Sequence, residues 1–417
     1  MRLRGIIGVL ATALLTVFFP VASIAGHHPT PTPPAPAPPS VNVRSYGATG
    51  DGTTDDTASI QNAANAAQAL GQPLFFPPGT YLHNSTLTFN GIVVNGTGGA
   101  CVLQAGDADN TAVILTGPNV SLRNFVVSST GLTPPCGCPE SSTVLVSVAT
   151  QFTVAGNTIV QGPGRVGVYV QRSSVGNISS VAFDGTGSPG DLGVFIDTCF
   201  NVSVLSNLFQ NEDDGVCLFP LSSIVTGSQF ITIQGNNFGN TTYPMLTKAV
   251  DDTASDTISI VSNIIQMANS NQGTNAISLL GDTNVVVSRN EIWNGFHGVR
   301  SETCPCISSG EVITVSQNVI RNVGGAALAV RAVAGPTNIQ LLNNSFGECG
   351  LVGTSPNLPV IRVRGPASNV SNVQVLNNVY FGHVNNVVNL VFAPNVPAAN
   401  VTGNFGTQTT LPNVTGP

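Results

Sequence analysis

"ITIQGN", residues 231–236, and "ISIVSN", residues 258–263, share one pattern: alternating apolar residues that lead to an asparagine. From Asn236 to Asn344 the spacing between these asparagines is 26 to 28 residues. A fixed period of this length is typical of a solenoid, in which each repeat forms one coil and stacks on the next. Further segments with this pattern end at Asn157, Asn207, Asn290, Asn318, Asn344 and Asn378.

Each period also contains a second short strand, usually opened by glycine, such as "GVYVQ" (167–171) and "GVFID" (193–197). Because side chains alternate between the two faces of a strand, one set points inward. The recurrent asparagine fits an internal turn in which side-chain amides hydrogen-bond from coil to coil. The sequence therefore predicts an all-β fold, a single right-handed parallel β-helix over residues 41–412. The predicted inward residues are Val168, Val170, Val194, Ile196, Val216, Leu218, Ile277, Leu279, Leu328 and Val330.

The open N-terminal end of such a stack needs a cap, since its free edge would otherwise pair with other chains. Residues 55–70, "DDTASIQNAANAAQAL", predict a short capping helix. Gly71 is expected to end it. The N-cap candidates are Asp55, Asp56 and Thr57, and the buried stripe comprises Ile60, Ala63, Ala67 and Leu70.

The chain begins with a basic, then apolar, then small-residue pattern, which predicts a signal peptide over residues 1–25. The apolar run is also long enough for a membrane anchor, but Pro20 and the lack of a later apolar span favour cleavage. Residues 26–40 form a proline-rich linker. We therefore expect a secreted or cell-surface protein that is monomeric and has no membrane segment after cleavage.

Only 8% of the residues are charged, and the formal net charge is −7. This charge argues against a nucleic-acid partner, because phosphates require a basic surface. It does not exclude an acidic polysaccharide, since bound cations would neutralise both partners. Export permits disulfides, and the closely spaced pairs Cys136/Cys138 and Cys304/Cys306 are interpreted as loop staples rather than zinc ligands.

The segment "VNVRSYGATGDGTTDDTASIQNA" (41–63), followed by "LFFPPGTY" (74–81), resembles the opening of the pectate lyase/polygalacturonase superfamily. The resemblance implies a right-handed parallel β-helix and an enzyme that cuts or modifies polysaccharides outside the cell. Hydrolases, lyases, epimerases and non-catalytic binders share this opening, so it does not choose among them.

Counting from the second strands predicts two outward columns of side chains. Acids gather on the coils between residues 191 and 252, and guanidinium groups on those between 300 and 364. One column comprises Tyr169, Phe195, Cys217, Ala249, Ser278, Arg300, Ala329 and Arg362; the other comprises Gln171, Asp197, Phe219, Asp251, Leu280, Glu302, Arg331 and Arg364. The predicted substrate-binding residues are Asp191, Asp197, Glu302, Arg331, Arg362 and Arg364, because carboxylates and guanidinium groups bind sugar hydroxyls and carboxylates.

"NEDDGVCLF" (211–219) resembles the calcium-binding DDGxD segment of one pectate lyase family, with Cys217 where a third acid is expected. So many acids on adjacent coils would repel unless a cation joined them, and Ca²⁺ prefers oxygen ligands. The predicted calcium ligands are Asp213, Asp214, Asp251 and Asp252. The resemblance implies Ca²⁺-assisted β-elimination of a uronate polymer such as pectate, in which Lys248 or Arg300 takes the proton.

Two other functions fit the same residues. A polygalacturonase-type hydrolase would use Asp191, Asp213 and Asp214 without a metal, with His297 as a further acid–base candidate. A non-catalytic β-helix that binds carbohydrate would need none of them. Plain structural interpretations also remain: Asp-Gly makes a turn, Lys248 pairs with Asp251 or Asp252, and the arginines pair with Glu302.

Overall fold

The computed structural model describes residues 39–106, 111–129, 142–220, 227–239, 248–253, 255–267, 274–302, 312–332, 338–349, 359–381 and 391–406. One compact unit spans Pro39–Pro417. Its chain winds as a right-handed parallel β-helix, as predicted, and every strand pairing is parallel and joins adjacent coils.

Each full coil contributes three strands, one to each of three faces. Face 1 carries the second strands of the sequence repeat: Leu87–Asn90, Val113–Pro118, Ser142–Thr150, Val166–Gln171, Leu192–Asp197, Asp214–Leu218, Lys248–Thr253, Asn275–Leu280, His297–Glu302, Leu328–Arg331, Ile361–Arg364 and Val391–Phe392.

Face 2 carries the strands that lead to the asparagines. Its strands are Val41–Asn42, Leu74–Phe75, Val93–Asn95, Ser121–Arg123, Thr153–Ala155, Ser174–Ser179, Phe200–Leu205, Gln229–Gln234, Asp256–Val261, Thr283–Ser288, Val312–Ser316, Asn338–Leu342, Gln374–Leu376 and Val401–Thr402.

Face 3 carries the short strands that follow the asparagines. Its strands are Asp51–Asp55, Gly79–His83, Cys101–Ala105, Val126–Ser128, Thr158–Val160, Ala182–Asp184, Leu208–Gln210, Asn237–Gly239, Ile264–Gln266, Glu291–Trp293, Val319–Arg321, Ser345–Gly347, Val379–Phe381 and Phe405–Gly406.

The core runs along the axis of the coil stack. All predicted inward residues of face 1 are buried, from Val168 to Val330. On face 3, Phe183, Phe209 and Phe238 stack in register, with ring centroids 4.7 and 4.6 Å apart. Because each coil places an apolar side chain over the one beneath, burial accumulates with every repeat.

The asparagines form a hydrogen-bonded ladder between faces 2 and 3. Asn236 Nδ2 donates to Asn263 Oδ1 at 3.0 Å, and its backbone amide donates to the same oxygen at 2.9 Å. The same pairing joins each step from Asn207 to Asn404. Val181 takes the asparagine position one coil before Asn207, and its amide donates to Asn207 Oδ1. The predicted amide ladder is therefore present, with one missing rung.

The capping helix spans Thr57–Leu70 and ends at Gly71, which adopts a left-handed φ of 63°. Ile60, Ala63 and Ala67 are buried as predicted, but Leu70 is 61% exposed, so its assignment to the buried stripe is corrected. It lies on the last turn, beyond the coil that the helix covers. Asp56 stands at the N-cap but gives no cap hydrogen bond; its carboxylate accepts the Thr49 and Gly50 amides.

Shorter helical turns complete the chain at Val43–Tyr46, Gly98–Ala100, Ala367–Val370 and Ala398–Asn400. The predicted signal peptide, most of the linker and the cysteines at 136, 138, 304 and 306 lie outside the described residues. The cysteines that are described, Cys101, Cys199, Cys217 and Cys349, are buried and free. Within the described ranges, no helix combines the length and apolarity needed to cross a bilayer.

Candidate functional site

The outward column of face 1 has a register that differs from the predicted one at a single coil. Cys217 pairs with Asp251, not with Ala249, and Asp251 in turn pairs with Ser278. The column then continues through Arg300 to Arg362 as predicted. The strand Lys248–Thr253 lacks the opening glycine that marks most of the preceding coils, and the predicted column was two residues out of step there.

On the face 1 strands Val166–Gln171, Leu192–Asp197 and Asp214–Leu218, the outward column is buried rather than open. Tyr169, Phe195 and Cys217 point outward yet form a second buried apolar cluster, separate from the axial core. The Tyr169 and Phe195 rings meet edge to face at 5.2 Å. Asp197, a predicted substrate-binding residue, is 9% exposed and accepts from the Tyr169 hydroxyl at 3.3 Å and the Thr198 hydroxyl at 2.7 Å. The structure therefore gives Asp197 a packing role, which corrects the prediction.

Asp191 holds together the turn that precedes its strand. Its carboxylate accepts hydrogen bonds from the amides of Gly164, Thr186 and Ser188, at 2.6 to 2.9 Å, and from the Thr186 hydroxyl. The side chain is fully buried. With its oxygens engaged and no exposed surface, Asp191 cannot contact a polysaccharide, and its prediction as a substrate-binding or catalytic residue is corrected.

Asp213 and Asp214 lie in the turn into the next strand of face 1. Both of their amides donate to the Asp191 carbonyl, and Asp213 Oδ2 accepts the Gly190 amide at 2.9 Å. Both side chains are partly exposed. Asp213 therefore belongs to the turn, whereas the Asp214–Gly215 pair begins the strand.

Glu212, the first acid of "EDDG", faces inward. Its Oε2 accepts from Gln161 Nε2 at 2.5 Å, and no hydrogen bond reaches its Oε1. Burial, reinforced by the charges of Asp191 and Asp184, raises the pKa of Glu212 well above its usual range. Burial therefore favours the protonated form of Glu212 relative to that of an exposed glutamate.

Lys248 pairs with an acid on its own strand. Its Nζ lies 2.6 Å from Asp251 Oδ2, and its backbone lies beside Asp214 in the register. Burial lowers the pKa of Lys248, but the Asp214 charge and the hydrogen bond to Asp251 outweigh it, so the net pKa is raised. A lysine that holds its proton this firmly is unsuited to abstract one.

Asp252 points into the solenoid, toward Asp282. The register places it between the inward residues Leu218 and Leu279, and the side chain is fully buried. Burial and the charge of Asp282 raise the pKa of Asp252 well above its usual range, and burial raises the pKa of Asp282 to about 7. The prediction that Asp252 binds a metal with Asp213 and Asp214 is corrected, because strand alternation directs it to the other side of the sheet.

The predicted calcium ligands do not converge. Asp213 accepts a backbone amide, Asp251 is paired with Lys248, and Asp252 faces the interior. In the part of the chain that is described, no cluster of three or more histidine, cysteine or acidic side chains has the arrangement of a metal site. Since Ca²⁺ takes six to eight oxygen ligands, these residues do not fit the ion, and no step is assigned to it here.

The C-terminal coils of face 1 instead form a groove, which we call the arginine groove, of about 290 Å³. Ala329 lies between Arg300 and Arg362 in the outward column, and its small side chain leaves the floor of the groove open. The residues that line it are His297, Arg300, Ser301, Glu302, Ala329, Val330, Arg331, Arg362 and Arg364.

Positive charge in the arginine groove exceeds its negative charge. Among the described residues that line it, Glu302 is the only carboxylate, and it is shared: Arg300 donates at 3.1 Å and Arg331 at 2.8 Å. Among the described residues no carboxylate pairs with Arg362. Burial, with the charges of Arg364 and Arg300, lowers the pKa of Arg362. An anionic ligand would relieve this repulsion, so the groove is suited to a carboxylate.

His297 lies at the edge of the arginine groove in a defined tautomer. Its Nδ1 is 2.9 Å from the Ala326 carbonyl, which can only accept, so Nδ1 carries the proton and Nε2 holds a lone pair. Burial, followed by the charges of Arg362 and Arg300, lowers the pKa of His297 to about 4. The imidazole is therefore neutral at pH 7 and able to accept a proton.

The structure thus separates the predicted site residues. Arg300, Glu302, Arg331, Arg362, Arg364 and His297 come together, whereas the acids lie further along the stack toward its N-terminal end. The sequence did not predict that Ala329 forms the floor of the groove or that Asp282 is the partner of Asp252. The position of Ala329, a small residue between two outward arginines, could have predicted a gap in the column. Asp282 follows a glycine at a coil corner, which reads as an ordinary turn.

Comparison with known proteins places these features in a family. The sequence profile described as "Rhamnogalacturonase A/epimerase, pectate lyase-like" matches residues 40–273, more than half of the chain. A curated protein of Arthroderma benhamiae, described as a probable glucan endo-1,3-beta-glucosidase, is 26% identical over 187 residues. That match covers 37% of this chain and 20% of the relative, so the chain spans about a fifth of that protein's length.

Two solved structures share the architecture. The tailspike gp61 of Pseudomonas phage phi297 matches with a TM-score of 0.62 at 14% identity, over 88% of this chain and 80% of its own. PfbA, a surface adhesin of Streptococcus pneumoniae, matches with a TM-score of 0.54 at 14% identity, over 88% and 92% of the two chains. At such identities the likeness concerns the fold alone.

Proposed function

Because the chain belongs to the rhamnogalacturonase A/epimerase, pectate lyase-like family, we propose that it acts outside the cell on an acidic, uronate-containing polysaccharide. The observation that carries the proposal is the excess of guanidinium groups around a neutral histidine in the arginine groove. A long stack of coils with a groove on one face suits an extended sugar chain.

The reaction that this geometry supports best is β-elimination. Arg362, with Arg364, would bind the uronate carboxylate and lower the pKa of the adjacent C–H group. His297 is 5% exposed, so its side chain would have to turn toward the groove for Nε2 to take the C5 proton. The electron pair of that bond would form the C4–C5 double bond, and the C4–O bond would break. The leaving oxygen would take a proton from water. This assignment replaces Lys248 or Arg300 as the base, since both are held by carboxylates.

The test is to incubate the mature chain with polygalacturonate, with and without EDTA. An elimination product contains a conjugated double bond that absorbs in the ultraviolet. We expect this absorbance to appear at equal rates with and without chelator. Reducing ends without absorbance would exclude elimination, and the absence of both on all polyuronides tested would leave a non-catalytic carbohydrate binder.

Hydrolysis is the second candidate function, favoured by the sequence match to a probable glucanase. Asp213 and Asp214 are partly exposed on face 1, and one of them would serve as the acid and the other as the base that activates water. This mechanism requires the Asp213 carboxylate to leave the Gly190 amide. It predicts reducing ends from a polysaccharide and dependence on Asp214 rather than on His297.

A further inference from the structure

We infer that face 3 carries a second carbohydrate-binding site, a slot between Arg321 and Phe381 that takes one sugar ring. This slot has a volume of about 560 Å³, the larger of the two grooves described, and lies on a different face from the arginine groove. The identification of the ligand as a sugar rests on the proposed function. The shape of the slot is independent of that proposal.

The floor of the slot is a glycine. Arg321, Gly347 and Phe381 are consecutive in one outward column of face 3. Gly347 has no side chain, and a Cβ there would meet the Phe381 carbonyl oxygen at 3.0 Å. With coils about 4.8 Å apart, the two walls lie about 9.6 Å apart, and after the thickness of each side chain about 6 Å remains, enough for one ring lying against Phe381.

The walls have the chemistry that sugars need. Phe381 is 53% exposed, and its ring can stack on the apolar face of a pyranose. Arg321 and Glu348 line the same slot, and within the described residues neither forms an ion pair. A guanidinium group and a carboxylate together provide donors and acceptors for ring hydroxyls, and Arg321 would also bind a uronate carboxylate.

The fluorescence of a nearby tryptophan can be used to measure binding in the slot. Trp293 is the sole tryptophan of the chain and lies one coil from Arg321 in the same outward column. Trp293 does not line the slot, but ligand bound between Arg321 and Phe381 would contact Arg321, and movement of Arg321 would change the surroundings of Trp293 on the neighbouring coil. Ligand bound in the arginine groove, on face 1, would not contact it.

The experiment is a titration of tryptophan emission in the full chain with trigalacturonate and, separately, with laminaritriose. Single-ring contacts give millimolar affinities, so each sugar is added up to about 10 mM. We expect a saturable change with trigalacturonate, weakened at least about tenfold in Phe381→Ala and in Arg321→Met. Phe230→Ala, which removes a similarly exposed ring on face 2, is the matched control and should bind as the parent does.

The outcomes separate this site from the proposed function. A saturable change that persists in Phe381→Ala, or that disappears in Arg362→Gln on face 1, would overturn the slot. So would the lack of a response to either sugar. A response to laminaritriose alone, with no cleavage of polygalacturonate, would support the slot and overturn the acidic substrate. Activity on polygalacturonate that survives Phe381→Ala would confirm that the two sites are distinct.

Discussion

Two regions of face 1 carry opposite charges, and the fold neutralises them to different extents; the region on strands Asp214–Leu218 and Lys248–Thr253, together with Asp213, is called the acid end. At the acid end, comprising Asp213, Asp214, Lys248 and Asp251, carboxylates are used by backbone amides and by one lysine. In the arginine groove one carboxylate serves two guanidinium groups and leaves Arg362 without an acid partner among the described residues. A cluster of charged side chains therefore indicates a binding site only when some of those side chains have no oppositely charged group or backbone hydrogen bond within the protein.

The largest effect should come from His297→Gln. This change removes the lone pair of Nε2 and should lower kcat on polygalacturonate about 10²- to 10⁴-fold, the usual contribution of a positioned base. Because the pKa of His297 is about 4, kcat/KM of the parent should rise as pH increases through that range and then stay level. A parent profile with no acidic limb, or an active glutamine variant, would remove His297 from the mechanism.

The next effect concerns stability beneath the acid end. Asp282 has a folded pKa of about 7 against an ordinary 3.8, so the folded state keeps a proton that the unfolded chain releases between those values. Stability should therefore fall as pH rises from 4 to 8, and Asp282→Asn should reduce this fall without abolishing it, because burial alone still raises the pKa of Asp252. Urea unfolding at several pH values measures it.

Asp256→Asn is the matched control with the opposite sign. Burial raises the pKa of Asp256, but hydrogen bonds from Thr283 and Asn284 outweigh it, and the net pKa is lowered. The parent should therefore gain stability relative to this variant as pH rises through the acidic range. If both variants gave the same pH dependence, the buried pair would not be the cause.

A smaller effect is expected for Arg362→Gln. Loss of a charge-assisted hydrogen bond to the uronate should raise KM on polygalacturonate by about 10- to 100-fold. Arg172→Gln changes an exposed arginine on an earlier coil and should leave KM unchanged. Equal effects of the two variants would mean that net charge, not the groove, attracts the polymer.

The smallest effect should follow Lys248→Met. The Lys248–Asp251 pair is partly exposed and screened, so its loss should cost no more than about 1 kcal/mol in urea unfolding. Ultraviolet absorbance formed from polygalacturonate should remain within about twofold of the parent, because the pair only neutralises the acid end. A loss of activity greater than tenfold would return Lys248 to the catalytic group.

The fold could be predicted from the sequence because its period is repeated in every coil. The site could be predicted only in part. Strand alternation by itself sends Asp252 inward, yet its neighbours in sequence had suggested a metal. The roles of Asp191 and Asp197 depend on turns and on a covering residue, Tyr169, that no local pattern reveals. The arginines were predictable because long charged side chains at outward positions of neighbouring strands stay at the surface, where they lie side by side.

The asparagine ladder has a direction, since each amide donates to the coil that follows it. Removal of the last coil would strand two donors on the new terminal asparagine, its backbone amide and one Nδ2 hydrogen, whereas removal of the first coil would strand one Nδ2 hydrogen and the Oδ1 acceptor. A buried donor without a partner is the costlier of the two. Shortened chains should therefore tolerate loss of leading coils better than loss of trailing ones, apart from the cap. The asparagine ladder therefore depends more on its C-terminal coils than on its N-terminal ones.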